Sequence, residues 1–196
     1  MPGIIFTQEK TEMTRALDLE IKNSRNIPRY IFGEGSINNL KSLLLERNDN
    51  KSGYAVYFID IFFEKNVKPL ESLPILDSDQ VFYVDTQNEP TTSYVDDLKN
   101  RLMGIKKSLP HTIIGIGGGG ALDVAKAISN LLTNSGNAED YQGWDLVKFP
   151  GIYKIGIPTI SGTGAEATRT CVMITPATGL KLGMNSDYTI FDQLIL

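Results

Sequence analysis

The chain has 196 residues, 41% of them hydrophobic and 21% charged, the proportions of an ordinary globular domain with enough apolar material for a core. Its formal net charge of −4 argues against a nucleic-acid partner, because gripping phosphates takes a clustered excess of Lys and Arg. The single cysteine, Cys171, excludes an internal disulfide; no apolar run approaches the ~20 residues of a membrane span, charges interrupt the N-terminus too early for a signal peptide, and a cytoplasmic location without membrane contact is expected.

Residues 1–26 carry no clear strand pattern and are expected to form an extension ahead of one domain over 27–196. Within the extension, Met13, Ala16, Leu17 and Ile21 fall on one side of a short helix over 11–22. RYIF at 29–32 is a short apolar run stopped by Gly33 and Gly35, and Ser36 then stands where it can cap a helix through Glu46, with Ile37, Leu40, Leu43 and Leu44 on one face. YAVYFI at 54–59 and QVFYV at 80–84 read as buried strands ending at Asp60 and Asp85, with a short helix near 63–70 between them. Pro90 and Thr91 open a helix over 92–103. TIIGI at 112–116 is the next strand and runs straight into Gly117, Gly118, Gly119 and Gly120; a helix over 121–132 follows, with Leu122, Ala125, Ile128 and Leu132 on its apolar side. A polar loop over 133–140, a strand over 153–157 closed by Pro158, and a strand–turn–strand beyond Cys171 with Gly179 in the turn complete the pattern. Apolar strands alternating with amphipathic helices predict an α/β fold, a Rossmann-like, mostly parallel sheet with helices on both faces. The final apolar run FDQLIL reads as a truncated end or as a terminal strand docked in a sheet.

The strongest chemical signal is IIGIGGGGALDVAKAI at 113–128. Glycines let the backbone turn sharply and let an anion come close. The helix start behind them offers free N–H groups and the positive end of its dipole. Gly117 to Gly120 are therefore expected to cradle a pyrophosphate, a tight ligand-free turn being the alternative use of glycine here. The run comes late for the usual dinucleotide fingerprint, in which the glycines follow the first strand and an acidic residue ends the second. The acid for an adenosine ribose must come from elsewhere, and Asp60 is the candidate, with a helix cap or a solvated loop acid as the other reading. Asp123 and Lys126 suit the first turns of the same helix and each other, which explains both without catalysis. IPTISGTGAEAT at 157–168 puts the hydroxyls of Thr159, Ser161 and Thr163 on a glycine-broken loop, able to bond ribose and phosphate oxygens or to serve as an ordinary polar loop. Glu166 suits a first helical turn. His111, the only histidine, has no ligand cluster around it and is expected at the surface. Cys171 is expected to be a small buried apolar residue.

These segments resemble a known family. GGGGALDVAKA is similar to the G-G-G-S-x-x-D-x-A-K pattern of the iron-containing (group III) alcohol dehydrogenases, and IPTISGTGAEAT resembles that family's I-P-T-T-x-G-T-G-S-E-x-T, in the same order and at a matching separation. RYIFGEGS resembles its opening strand and turn, and the likeness runs from Arg29 to Leu196. The resemblance implies a domain that binds NAD or NADP, followed by an all-helical domain in which an aspartate and histidines outside this chain hold Fe2+ or another divalent metal. It implies Asp60 near the adenosine ribose, and Gly117, Gly118, Gly119, Gly120 and Ala121 on the pyrophosphate. It further implies Thr159, Ile160, Ser161, Gly162 and Thr168 along the cofactor and Lys181 near the nicotinamide ribose, while Asp123 and Lys126 match the motif. Gly120 and Ile160 replace a serine and a threonine of the pattern, which removes two hydroxyls. More narrowly, YQGWDLVKFP, PTISGTGAEATRT and KLGMNSDYTIFDQLIL resemble the branch that oxidises the 8-hydroxyl of 3-deoxy-D-manno-octulosonate on the way to an amino sugar of lipopolysaccharide.

The resemblance thus implies an oxidoreductase for a small alcohol or sugar acid, with no catalytic residue and no metal ligand in this chain, which alone is expected to be inactive. A dehydroquinate-synthase-like fragment shares the architecture, and a non-catalytic nucleotide-binding module of a split protein is a further reading. A homodimer and pairing with a separate helical domain both stay open as partners.

Overall fold

The computed structural model describes residues 4–7, 27–48 and 53–196, the first of these segments as backbone alone. The helix expected over 11–22 lies outside the described residues. Strand β1 (Ile4–Thr7) corrects the expectation of no strand ahead of residue 27; four residues are too few to display alternation. Strand β2 (Arg29–Phe32) leads through a 3-10 turn (Ser36–Asn39) into helix α1 (Leu40–Arg47). Ser36 does not cap this helix. Its Oγ donates to the Leu196 carbonyl at 2.9 Å, and Gly35, at φ 77, opens the turn instead.

Strand β3 (Ala55–Asp60) and helix α2 (Phe62–Lys65) follow, then a separate 3-10 turn (Lys68–Leu70). The single helix expected near 63–70 is thus split, since Pro69 has no N–H for a continuous helix. Strand β4 (Gln80–Val84) precedes helix α3 (Thr92–Ile105), whose N-cap Thr91 accepts from Tyr94 N at 3.1 Å. Strand β5 (Thr112–Gly117) feeds helix α4 (Gly119–Leu131), which starts inside the glycine run rather than after it. Strands β6 (Gly143–Trp144), β7 (Lys154–Pro158), β8 (Thr170–Ile174), β9 (Lys181–Asn185) and β10 (Gln193–Ile195) complete the chain.

Seven strands form one sheet in the order β1-β2-β10-β7-β5-β3-β4. All neighbours are parallel except β1 and β2, so the Rossmann-like, mostly parallel sheet is present. The closing apolar run enters as β10 between β2 and β7. Side chains alternate across the sheet. Val56 and Phe58 of β3 join Val95, Leu98 and Leu102 of α3 and Val124 and Ile128 of α4 in one core. Ala55, Tyr57 and Ile59 join Leu40 and Leu44 of α1 and Phe63 of α2 in the other. Both faces are therefore covered by helices, as a parallel sheet requires. A second sheet of three strands, β6-β9-β8, packs its buried Cys171, Met173 and Met184 into the α3–α4 side.

α4 is buried nearly all round, from Ala121 to Leu131, rather than along the single apolar stripe the sequence suggests, because it is sandwiched between the main sheet and the β8–β9 hairpin. Cys171 is buried as expected, and burial pushes its thiol pKa up. His111 is half-buried, not on the surface. Its Nδ1 lies 2.9 Å from Thr112 Oγ1, and burial lowers its pKa. Among the described residues, no helix is long and apolar enough to cross a membrane.

The strand order fixes where a ligand could lie. From β3 the chain moves outward to β4, then returns to place β5 on the opposite side of β3. Loops leaving β3 and β5 therefore diverge and open a crevice at their carboxyl ends, the switch point of a doubly wound sheet. The last residues of those two strands are Asp60 and Gly117.

Candidate functional site

Gly117 ends a wholly buried strand at φ 149. A Cβ there would stand 2.8 Å from both the Ala121 and Asp60 Cβ atoms, so only glycine lets β3 and α4 close on this point. Gly118 is extended and caps α4 with no side-chain hydrogen bond. The first backbone bond of the helix runs from Leu122 N to Gly118 O at 3.1 Å, which leaves the amides of Gly119, Gly120 and Ala121 ahead of it. A Cβ on Gly118 would meet only Ile160 Cδ1 at 3.6 Å, one on Gly119 the Thr163 side chain at 3.4 Å, and one on Gly120 Thr86 Cγ2 at 3.5 Å. Three partly exposed glycines thus form a bare-backbone floor walled by Ile160, Thr163 and Thr86. The positive end of a 13-residue helix points into it. The floor is space that side chains would fill, and it fits a diphosphate.

Asp60 serves two neighbours at once. Its Oδ1 accepts from Phe62 N and from Thr86 Oγ1, each at 2.9 Å. Its Oδ2 lies 3.4 Å from where a Gly117 Cβ would be. Asp60 is not the N-cap of α2, a position Ile61 holds; its carboxylate instead closes a local turn onto Phe62 N beside the glycine turn. Thr86 follows a strand end with no motif around it, and only its long-range contacts with Asp60 and Gly120 mark it.

The second loop is tied to the first by Thr159 N, which donates to Gly117 O at 3.0 Å. Thr159, Ile160, Ser161 and Gly162 lie exposed at the cleft edge. Thr168 turns elsewhere: its Oγ1 accepts from Lys126 Nζ at 3.2 Å and lies 3.3 Å from the Ala165 carbonyl it donates to. Asp123 also turns inward, with Oδ2 accepting from Val172 N at 3.0 Å. Burial raises the Asp123 pKa to about 6 against the opposing pull of Lys126, and its Oδ1 is buried without a hydrogen-bond partner. Lys181 stands on β9 with Nζ 2.7 Å from Glu89 Oε1, and Pro90, next to Glu89, packs toward Gly120. The structure therefore brings together Asp60, Gly117 to Ala121 and Thr159 to Gly162. It turns Thr168 and Asp123 toward the β8–β9 hairpin and holds Lys181 beyond the loop that carries Thr86, Glu89 and Pro90.

Sheet, switch point and open glycine turn together define a Rossmann-like α/β domain. The sequence profile of iron-containing alcohol dehydrogenase matches residues 28–196, and the chain belongs to that family. It is 39% identical over 130 residues to the sulfoacetaldehyde reductase of Bilophila wadsworthia, covering 66% of this chain and 33% of that protein. A crystal structure of 1,3-propanediol oxidoreductase superposes with a TM-score of 0.72 at 22% identity, over 85% of this chain and 43% of that one. The NAD+ complex of sulfoacetaldehyde reductase from Bifidobacterium kashiwanohense superposes with a TM-score of 0.69 at 22% identity, again over 85% and 43% of the two chains. The chain thus spans less than half the length of each of these relatives. Among the described residues, no group of three or more His, Cys, Asp and Glu could hold a metal ion, so they do not fit an iron site.

Proposed function

We propose that residues 27–196 are the dinucleotide-binding domain of an NAD(P)-dependent oxidoreductase that interconverts alcohols and aldehydes, with 1–26 as an extension. One observation carries this reading: an uncapped helix start, floored by Gly118, Gly119 and Gly120, opens at the switch point of the sheet. Membership in the iron-containing alcohol dehydrogenase family supports the same reading, as does the NAD+ bound to a protein of similar fold.

A bound nicotinamide dinucleotide supplies the hydride acceptor. In the proposed complex the amides of Gly118 to Ala121 and the α4 dipole take the pyrophosphate. Asp60 accepts from an adenosine ribose hydroxyl through Oδ2. Thr159, Ile160, Ser161 and Gly162 line the cofactor from the opposite wall. Thr168 and Asp123 hold the loops that shape the cleft, and Lys181 reaches the nicotinamide ribose. No catalytic residue is assigned to this chain. For the substrate we propose 3-deoxy-D-manno-octulosonate, oxidised at its 8-hydroxyl; the support is the resemblance of the segments at 141–150, 158–170 and 181–196 to that branch.

Calorimetric titration of the chain with NADH and NAD+, beside thermal melting, tests the cofactor reading. A saturable heat and a raised melting temperature are expected. No heat and no shift at millimolar cofactor would overturn it.

A further inference from the structure

Asp123 stands one helical turn below the glycine floor. It follows Gly119 by four residues and Gly120 by three in α4. Residues at those spacings share a helix face, with about 5–6 Å between Cβ positions. Helical side chains also lean toward the N-terminus of their helix, so the carboxylate is carried up toward the floor rather than away from it. Its Oδ2 accepts from Val172 N on the outer edge of β8 at 3.0 Å. Its Oδ1 is buried with no hydrogen-bond partner.

Charged and titratable groups face Asp123 from each element packed against it. Lys126, one turn further along α4, pulls its pKa down, and Lys181 of β9 does the same, while Glu89 of the loop after β4 pushes it up. Glu89 and Lys181 are bonded to each other at 2.7 Å, so their effects on Asp123 oppose one another. Lys126 directs its donors to Ala165 O, Thr168 and Thr170 O, which leaves Oδ1 without one. Cys171 of β8 is a buried thiol whose pKa burial raises, so it brings no charge. Burial outweighs the lysines and holds the Asp123 pKa at about 6. A carboxyl that titrates so near neutrality, and that lacks a donor on one oxygen, responds to any new charge beside it.

A nicotinamide dinucleotide brings such a charge. Each phosphate of its diphosphate is a diester, so both stay ionised across this pH range. In the proposed complex the diphosphate lies on the amides of Gly118 to Ala121, about one turn from Asp123. Two unit charges ~7 Å apart at an effective dielectric constant of ~20 interact strongly enough to move an equilibrium by about tenfold or more. The anion therefore disfavours the ionised carboxylate and leaves the neutral acid alone.

We propose that Asp123 takes up a proton from solvent as the diphosphate occupies the glycine floor, so that cofactor binding and the protonation of this one carboxyl are linked. The proposal rests on the cofactor reading, which supplies the anion. Its sign is fixed, because the bound pKa lies above the free one. Below about pH 6 the free chain already carries the proton, and affinity is level and at its highest. Affinity then falls as pH rises from the free value to the bound one, by at most about tenfold per pH unit, and levels off above. Linkage is reciprocal, so the bound cofactor holds the proton as firmly as the proton favours the cofactor.

Calorimetric titration with NADH and with ADP-ribose, which carries the same diphosphate without the nicotinamide, tests the linkage. Each is run near pH ~5.5, ~6.5 and ~8, in pairs of buffers that differ in heat of ionisation. Both ligands are expected to draw a fraction of a proton, largest near pH ~6.5, and to bind about tenfold or more tightly at the lowest pH than at the highest. Asp123→Asn, whose side chain keeps an oxygen for Val172 N, is expected to bind both ligands with no proton uptake and with an affinity that pH does not change. In the wild type, the carbon-13 carboxyl resonance of Asp123 should titrate at higher pH with ADP-ribose bound than without, a measurement that needs no variant to fold. Wild-type binding without proton uptake, uptake that persists in Asp123→Asn, or a carboxyl titration that ADP-ribose does not move would overturn the linkage and leave the cofactor reading standing. Uptake with NADH but not with ADP-ribose would overturn the diphosphate as its source. A wild type that binds neither ligand removes the cofactor reading, and the linkage falls with it.

Discussion

Lys126 Nζ donates to the carbonyl oxygen of Thr168 at 3.0 Å, and that contact joins the helix of the first motif to the loop of the second. The ammonium is fully buried. It also donates to Thr168 Oγ1 at 3.2 Å, to Thr170 O at 2.9 Å and to Ala165 O, and it lies 5.3 Å from the Phe191 ring centroid. Three N–H donors shared among four oxygens make it a staple for the loop. Lys126→Met would leave buried carbonyls without donors, at ~1–3 kcal/mol for each one not rescued. Urea unfolding should show a loss of about 2–4 kcal/mol, and hydrogen exchange should quicken first between Thr163 and Thr170. An unchanged midpoint would mean the staple contributes nothing.

Asp123 gives the fold a pH dependence of definite sign. Burial raises its folded pKa from 3.8 to about 6. The folded chain therefore holds a proton between those values that the unfolded chain has released, and stability falls as pH rises through that window. The gap corresponds to about 3 kcal/mol at most. Asp123→Asn keeps an oxygen that can accept from Val172 N and gives the orphaned position a neutral group. Its urea midpoint should exceed that of the wild type above pH ~6 and match it near pH ~4. A parallel offset at both pH values would remove Asp123 as the cause.

The sequence made the alternation of β3, β4, β5 and β7 with α3 and α4 legible, because each segment is long enough to show its own period. It also made the glycine turn legible, because a run of glycines between an apolar strand and a helix has few uses. What it hid depends on contacts far apart in the chain. β1 is too short to show a pattern, and the central place of β10 comes from parallel pairing with β2 and β7. Thr86 is placed by Asp60, 26 residues away, and by its approach to Gly120. Asp123 and Lys126 read as an i,i+3 pair in the first turns of the helix because their spacing suits one. The hairpin β8–β9, folding over α4, buries both and hands each a backbone partner.

Asp60 should set the choice between the two nicotinamide cofactors. Its Oδ2 lies beside Gly117, and in the proposed complex a carboxylate there accepts from a ribose 2′-hydroxyl and repels a 2′-phosphate. The wild type is expected to bind NADH more tightly than NADPH. Asp60→Asn leaves an oxygen for Phe62 N and Thr86 Oγ1, so melting should change little. Its preference for NADH over NADPH should shrink by about tenfold or more. Calorimetric titration of both proteins with both cofactors measures the ratio, and an unchanged ratio would remove Asp60 from the ribose.

Gly117 and Gly118 are adjacent yet should fail in different ways. Gly117 has φ 149, and a Cβ there would stand 2.8 Å from two other Cβ atoms. Gly117→Ala must push β3 and α4 apart, and a loss of about 1–3 kcal/mol in urea unfolding is expected. Gly118 has φ −80 and ψ −169, an extended conformation open to any residue, and its Cβ would meet only the tip of Ile160. Gly118→Val should fold within about 1 kcal/mol of the wild type. Its branched side chain would nonetheless stand over the first amides of α4, where the proposed diphosphate lies. A folded Gly118→Val chain that gives no heat with NADH separates backbone recognition from stability. Should that variant bind NADH like the wild type, those amides are not where the anion sits.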